Sequence, residues 1–151
     1  MKEIKLLLVS WLLLCAGTMY AQKYAGGDIS LLPDYEKANA KYKDQNGTLI
    51  TGDMILYFKQ QGWNAMRVRL FVDPSNAIDQ HQKEGVRQDL DYVKALGKRI
   101  KEAGLAFMLD FHYSDTWTDP GKHSTPAAWT STDPDVLAQT LKEYTVSCLN
   151  D

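Results

Sequence analysis

The sequence has almost no cysteine. It holds Cys15 and Cys148 alone, and Cys15 falls inside an N-terminal apolar stretch that reads as a leader. One remaining thiol cannot close an internal disulfide, which excludes a disulfide-stapled scaffold and leaves stability to an ordinary core. It also excludes Cys-x-x-Cys metal and redox sites. Cys148 reads as a small apolar residue on the last helix.

Basic charge is also short: 17 Lys and Arg stand against 19 Asp and Glu, net −2. A nucleic-acid partner requires a strongly basic face, and nothing in this composition supplies one. No apolar run reaches the roughly 20 residues needed to cross a bilayer. Gly-x-Ser-x-Gly, Gly-x-Gly-x-x-Gly, the Walker sequence and His-x-x-x-His do not occur. Those absences argue against a nucleophile elbow, a dinucleotide or nucleotide-phosphate cradle, and a helix-borne zinc site.

What is present begins with a targeting signal. Lys2 and Lys5 precede an apolar run over 6–16, and small and polar residues lead to Ala21-Gln22. This is the pattern of a secretory signal peptide over 1–21, cleaved after Ala21, and it predicts a secreted or periplasmic protein with no membrane contact after cleavage. A lipoprotein would use Cys15, but Leu14 before it is bulky where a small residue is wanted. Residues 1–21 carry two Lys and one Glu, so residues 22–151 hold 15 basic and 18 acidic residues, net −3.

Residues 22–151 alternate strands and helices. A first strand is expected over 24–31, with Gly26-Gly27 inside it and Asp28 near its end, at the mouth of a site or starting a turn. Residues 34–43 read as a short helix or irregular segment, followed by an Asp44-Gln-Asn46-Gly47 turn. A helix over 51–61 is capped by Thr51, with Asp53 in its first turn and Gly62 as its stop. The second strand, 63–72, sets Arg67 and Arg69 on one face and Met66, Val68 and Leu70 on the other. A polar loop over 75–87 contains an exposed His81. The clearest helix is 88–103, with Gly104 as its stop. A third strand over 105–111 is almost wholly apolar, as expected for a parallel strand covered on both faces. Asp133-Pro134 opens the last helix, with a stripe through Val136, Leu137, Leu141, Tyr144 and Cys148 or Leu149. The sequence ends at Asp151, where a turn and a fourth strand would be due. Helices of ten or more residues between apolar strands are the signature of βαβ units and a parallel sheet.

The chemistry gathers where the third strand opens into a polar loop. Parallel α/β enzymes place their sites at the carboxyl ends of strands. Asp110 and His112 are two apart and share a face. The carboxylate can fix the imidazole's tautomer, or accept from Arg69 if strands two and three are neighbours. Arg67 lies one layer deeper than Arg69. Asp110 and Asp115 could form an acid/base pair, and a buried structural network explains the same residues. His112 with Asp110, Asp115 and Asp119 could hold a metal, although the spacing fits neither zinc nor an EF-hand. Trp117 and Trp129 bracket the loop, for stacking on a sugar ring or for anchoring the loop; anchoring suits Trp129 better.

Taken together, Gly27-Asp28-Ile29-Ser30, Arg67-Val-Arg69-Leu-Phe-Val-Asp73-Pro74 and Asp110-Phe-His112-Tyr-Ser-Asp115-Thr-Trp117-Thr-Asp119-Pro-Gly-Lys122, followed by Pro126-Ala-Ala-Trp129, resemble the arabinogalactan endo-β-1,4-galactanase family of glycoside hydrolases. The resemblance implies a (β/α)8 TIM barrel and a retaining mechanism on β-1,4-galactan and the type I arabinogalactan side chains of pectin. It implies two catalytic glutamates on strands four and seven, and no cofactor, with any calcium held by later loops. Such a barrel takes about 250 residues, so residues 22–151 are expected to supply the first three βα units. No catalytic residue is expected among them, and the acid/base and nucleophile glutamates are expected beyond Asp151. On this resemblance Arg69 and His112 match active-site-supporting positions. Asp110, Asp115, Trp117 and Asp119 lie in the same motif, Asp28 is a further candidate, and His123 has no assigned role. Two other readings stand beside it: a galactan-binding remnant without turnover, and a metal-dependent hydrolase centred on His112.

Overall fold

The computed structural model describes residues 23–151; the leader over 1–21 and its cleavage position lie outside the described residues. Three parallel strands lie in the order β1-β2-β3: β1 (Gly26–Asp28), β2 (Ala65–Leu70) and β3 (Ala106–Phe111). Each is shorter than the segment expected for it; past the end of β2, for example, the backbone N–H groups of Phe71 and Val72 donate to the loop carbonyls of Gln88 and Ser114, each at 2.9 Å. The register sets Asp28 opposite Arg67, and Arg69 opposite Asp110.

Alternation along β2 decides the two faces of the sheet. Met66, Val68 and Leu70 are buried with Ile29 against the helices. Helix α2 (Met54–Gln60) contributes Met54 and Ile55, and α4 (Leu90–Glu102) contributes Val93, Leu96 and Ile100. Phe107, Leu109 and Phe111 of β3 pack on the same side. The opposite face, carrying Asp28, Arg67, Arg69, Met108 and Asp110, is open, and Met108 is 48% exposed. Among the described residues, β3 is covered by helices on one face only.

Aspartates start the long helices by accepting the backbone N–H groups that have no helical partner. Asp53 Oδ1 accepts from Ile55 N at 2.7 Å and Leu56 N at 3.2 Å, so the cap of α2 is Asp53 and not Thr51. Asp89 caps α4 through Tyr92 N at 2.9 Å. Asp133 caps α5 (Pro134–Asn150) through Asp135 N at 2.8 Å. Gly104, at φ +72°, reverses the chain from α4 into β3. Arg99 of α4 clasps Glu36, at the end of α1 (Leu32–Lys37), through two bonds of 2.8 and 2.7 Å, and reaches Asp53 at 3.0 Å.

The segment expected as a polar loop carries a 3-10 turn (Pro74–Asn76) and α3 (Asp79–Lys83). Phe71, Ala77 and Val86 form a small second core there, with Trp117 against it. His81 is half-buried rather than exposed, with Nδ1 2.6 Å from Thr116 Oγ1. α5 has no fully buried residue. Val136, Leu141 and Leu149 of its expected stripe are exposed, while Tyr144 and Cys148 reach the main core. Asp151, which follows α5, ties its end back to α4 through Lys94 Nζ at 3.0 Å.

Candidate functional site

The open face at the carboxyl ends of the strands carries alternating charge from strand to strand. Asp28 ends β1, and its Oδ2 accepts from Arg67 Nε at 3.0 Å. Its Oδ1 accepts from Arg69 Nη2 and from Ser30 N, each at 3.0 Å. Arg67 Nη1 reaches from β2 to Asp110 Oδ2 on β3 at 3.3 Å. The register opposes Arg69 to Asp110, as the adjacency of strands two and three implies, yet the guanidinium paired with Asp110 is that of Arg67.

Arg69 is held from three sides. Its backbone N and its Nε both donate to Ser30 Oγ, at 2.9 and 3.2 Å. Asp28 fixes one end of the fork, and the Trp117 ring lies 4.5 Å from Cζ, a cation–π distance. Ser30 is itself fully buried, and its carbonyl accepts from Tyr92 OH at 2.7 Å and Gln88 Nε2 at 3.3 Å. Burial works to raise the Asp28 carboxyl, but the Ser30 N–H and the two arginines outweigh it and hold its pKa below the ordinary 3.8.

His112 follows β3, with its N–H bonded to Leu70 O at 3.0 Å. Its ring meets the edge of Phe71 at 4.8 Å. Nδ1 lies 2.8 Å from Thr118 Oγ1, and Nε2 lies 3.6 Å from Asp110 Oδ2. Burial lowers its pKa below the ordinary 6.5; Asp110 and Asp28 oppose this, while Arg69 and Arg67 add to it. The imidazole is accordingly neutral at pH 7. Tyr113, the next residue, is left-handed at φ +48°. Backbone strain of this kind gathers at functional sites. Tyr113 stacks on Phe111 at 5.2 Å, its OH meets Thr145 Oγ1 at 3.0 Å, and Trp129 and Tyr144 close the cluster at 6.5 and 6.4 Å.

The structure thus brings Asp28, Arg67, Arg69, Asp110, His112 and Trp117 together. Asp115 takes another part. It is buried and accepts from Asp73 N at 3.0 Å, Asn76 Nδ2 at 3.1 Å and Ala127 N at 2.9 Å, so it ties three loop segments together. Asp119 bonds within its own turn, to Gly121 N at 2.8 Å. Asp151 is exposed and committed to Lys94, so its carboxylate takes no part in the array on the strand-end face. An acid/base pair of Asp110 with Asp115 does not match these partners. Among the described residues, no group of three or more His, Cys, Asp or Glu side chains could hold a metal ion, so a metal at His112 finds no donor set. Ser30, Gln88 and Thr118 escaped the sequence reading. Ser30 was open to it, since position 30 shares a face with position 28. Nothing in the spacing pointed to Thr118.

Chemically, the face is a fixed donor array. Both of its carboxylates are committed to arginines. The arginines, restrained by Asp28, Asp110, Ser30 and Trp117, can hold further carboxylates or sugar hydroxyls in fixed directions.

Residues 24–151 match Glycosyl hydrolase family 53. The arabinogalactan endo-beta-1,4-galactanase A of Emericella nidulans is 38% identical over 133 residues, 88% of this chain and 35% of the relative. That of Aspergillus niger is 40% identical over 130 residues, 86% of this chain and 34% of the relative. A structure from a study of two fungal beta-1,4-galactanases superposes with a TM-score of 0.71 at 37% identity, covering 86% of this chain and 36% of its own. The GH53 catalytic domain of Ignisphaera aggregans superposes at 0.69 and 28% identity, covering 89% and 36%. The chain spans about a third of the length of the relatives it matches. Its three parallel strands, helix-covered on one face and charged on the other, are a part of the (β/α)8 barrel of those neighbours. The chain belongs to glycosyl hydrolase family 53.

Proposed function

We propose that this chain forms one wall of the substrate cleft of a secreted endo-β-1,4-galactanase, which hydrolyses β-1,4-galactan and type I arabinogalactan side chains of pectin with retention of configuration. The leader over 1–21 supports export. The relatives, arabinogalactan endo-beta-1,4-galactanases, support the substrate class. The observation that carries the reading is the Asp28–Arg67–Asp110 and Asp28–Arg69–Trp117 lattice on the strand-end face.

A retaining glycosidase needs two carboxyl groups about 5–5.5 Å apart, one as nucleophile and one as acid/base. Asp28 and Asp110 are poor candidates, because each is salt-bridged to an arginine. The reacting glutamates belong instead to strands four and seven, beyond Asp151, as the family resemblance implies, and the three strands here prepare their surroundings. Arg69, locked by Ser30 and Asp28, offers its guanidinium to the nucleophile and to substrate oxygens. Neutral His112 offers a hydrogen bond without adding charge. The carboxyl chemistry calls on no cofactor.

The test joins residues 22–151 to strands four to eight of the Aspergillus niger relative. The chimera is expected to release galacto-oligosaccharides from β-1,4-galactan, while residues 22–151 alone release none. Arg69→Ala in the chimera is expected to lower kcat/KM by roughly 100-fold, the loss typical of one transition-state donor. A folded chimera that binds galactan without cleaving it would favour a binding role, and hydrolysis by the 151-residue chain alone would place the reacting acids on this face after all.

A further inference from the structure

The neutral form of the His112 imidazole, which burial favours, carries a single ring proton. Which nitrogen holds it decides what the site can do, because the protonated nitrogen donates and the other accepts. The two nitrogens face different partners. Nε2 looks toward the Asp110 carboxylate at 3.6 Å, and Nδ1 meets the Thr118 hydroxyl at 2.8 Å.

A carboxylate has no proton to give when ionised. A bare Nε2 facing Asp110 would set a lone pair against a negative oxygen, whereas Nε2–H is attracted to it. The hydroxyl of Thr118 can donate or accept, so it adapts to the other nitrogen. With the proton on Nε2, Nδ1 is an acceptor and Thr118 donates to it. We infer that Asp110 selects the Nε2–H form of His112 and that Thr118 is the positioning residue that completes it by donating to Nδ1, so that the ring presents a donor on the face shared with Asp110 and Arg69.

Thr118 is placed for this by its neighbours on both sides. Trp117 packs edge-on against Phe71 at 5.5 Å and under Arg69 at 4.5 Å. Asp119 and Lys122 exchange two backbone bonds of 3.1 and 3.0 Å. The left-handed Tyr113 turns the chain immediately after His112, and the loop brings the side chain of Thr118, six residues on, back against the ring. Phe71 at 4.8 Å restrains the ring itself. Groups held this way gain their effect from orientation fixed before the substrate arrives.

The consequence for a galactanase rests on the function proposed above. A fixed Nε2–H donates to a substrate hydroxyl or to a carboxylate of the barrel, and it cannot take a proton at that atom. His112 then orients and does not act as a general base.

The assignment is tested without turnover, on the 151-residue chain, by long-range proton–nitrogen correlation spectra of the His112 ring at neutral pH. Wild type is expected to show a protonated Nε2 and an unprotonated Nδ1. Thr118→Ser, which keeps the hydroxyl, is expected to retain that pattern. Thr118→Val, which keeps the shape and removes the hydroxyl, is expected to give mixed tautomers and a His112 titration moved up toward its ordinary position. A protonated Nδ1 in wild type overturns the assignment before any variant is made. A valine variant with an unchanged nitrogen pair overturns it as well, and so does a serine variant that behaves like valine. Since no cleavage is measured, failure of the chimera assay and failure of this assignment are separate results.

Discussion

Arg67 Nη1 lies 3.3 Å from Asp110 Oδ2, although the strand register opposes Arg69 to Asp110. Arg67 therefore joins all three strands, because its Nε also meets Asp28 at 3.0 Å. Arg69 spans only β1 and β2, yet it is the more enclosed of the two, with its side chain 17% exposed against 46%. Exposed ion pairs contribute about 0–1 kcal/mol, whereas hydrogen bonds to charged groups away from solvent contribute about 1.5–3 kcal/mol. Arg67→Met should therefore cost about 1 kcal/mol or less in urea unfolding, and Arg69→Met about 2–3 kcal/mol. Equal losses would mean that strand bridging outweighs burial.

The same lattice fixes a pH response. The pKa of His112 lies below 6.5 in the folded chain, so as pH falls below about 6.5 the unfolded chain takes up that proton first. The stability His112 contributes is present above pH 6.5 and is lost as pH falls through its folded pKa. Asp28 and Asp53 also lie below their ordinary 3.8. For Asp53, burial opposes the shift, and Arg99 with the Leu56 and Ile55 N–H groups outweighs it. Their contribution is present above pH 3.8 and is lost as pH falls further. Urea midpoints should thus decline in two steps on acidification. His112→Gln should erase the upper step and leave the lower one.

Phe71 carries the loop as well as the second core. It is fully buried, and both His112 and Trp117 set ring edges or faces against it. Phe71→Ala should cost about 3–5 kcal/mol, as buried Phe deletions do. It should also release Trp117 from beneath Arg69, seen as a red-shifted tryptophan emission. Phe71→Leu should keep most of the stability and lose part of the ring contact, so the emission should move more than the unfolding midpoint does.

The periodicities along the chain made the strand–helix order and the two faces of β2 legible, because alternation of Arg67 and Arg69 with Met66, Val68 and Leu70 is a local signal. The aspartate cap of α5, Asp133 before Pro134, was equally local; the Asp89 cap of α4 was not singled out. Side-chain partners were not. The pairing of Arg67 with Asp110 depends on how a long side chain leans along its strand. The burial of Gln88 and the hub at Ser30 depend on one carbonyl, that of Ser30, whose two donors lie 58 and 62 residues away. Asp115 looked like chemistry because it stands in a dense polar motif; its three partners, from residues 73, 76 and 127, are a tertiary fact. β3 read as covered on both faces because an apolar run does not state which neighbours are there.

The paired glycines of β1 should respond unequally. A Cβ on Gly26 would overlap the carbonyl oxygen of Ala65, part of the β2 backbone. That oxygen has no rotamer in which to escape, so β1 must move away from β2. Asp28 lies two residues on and would be drawn from Arg67 and Arg69. A Cβ on Gly27 would come within 2.8 Å of Trp63 Cη2. Trp63 is stacked on Phe58 at 4.5 Å, and both rings can shift together. Overpacking of an adaptable site costs about 1–3 kcal/mol. Gly27→Ala should fall at the low end of that range and move the emission of Trp63. Gly26→Ala should exceed it, and should bring the Asp28 carboxyl titration back toward its ordinary value. Carbon-detected titration of Asp28 in both variants separates the two cases: a normal Asp28 in Gly26→Ala and a lowered one in Gly27→Ala are expected, and the reverse order would show that β1 is held to β2 by something other than this close approach.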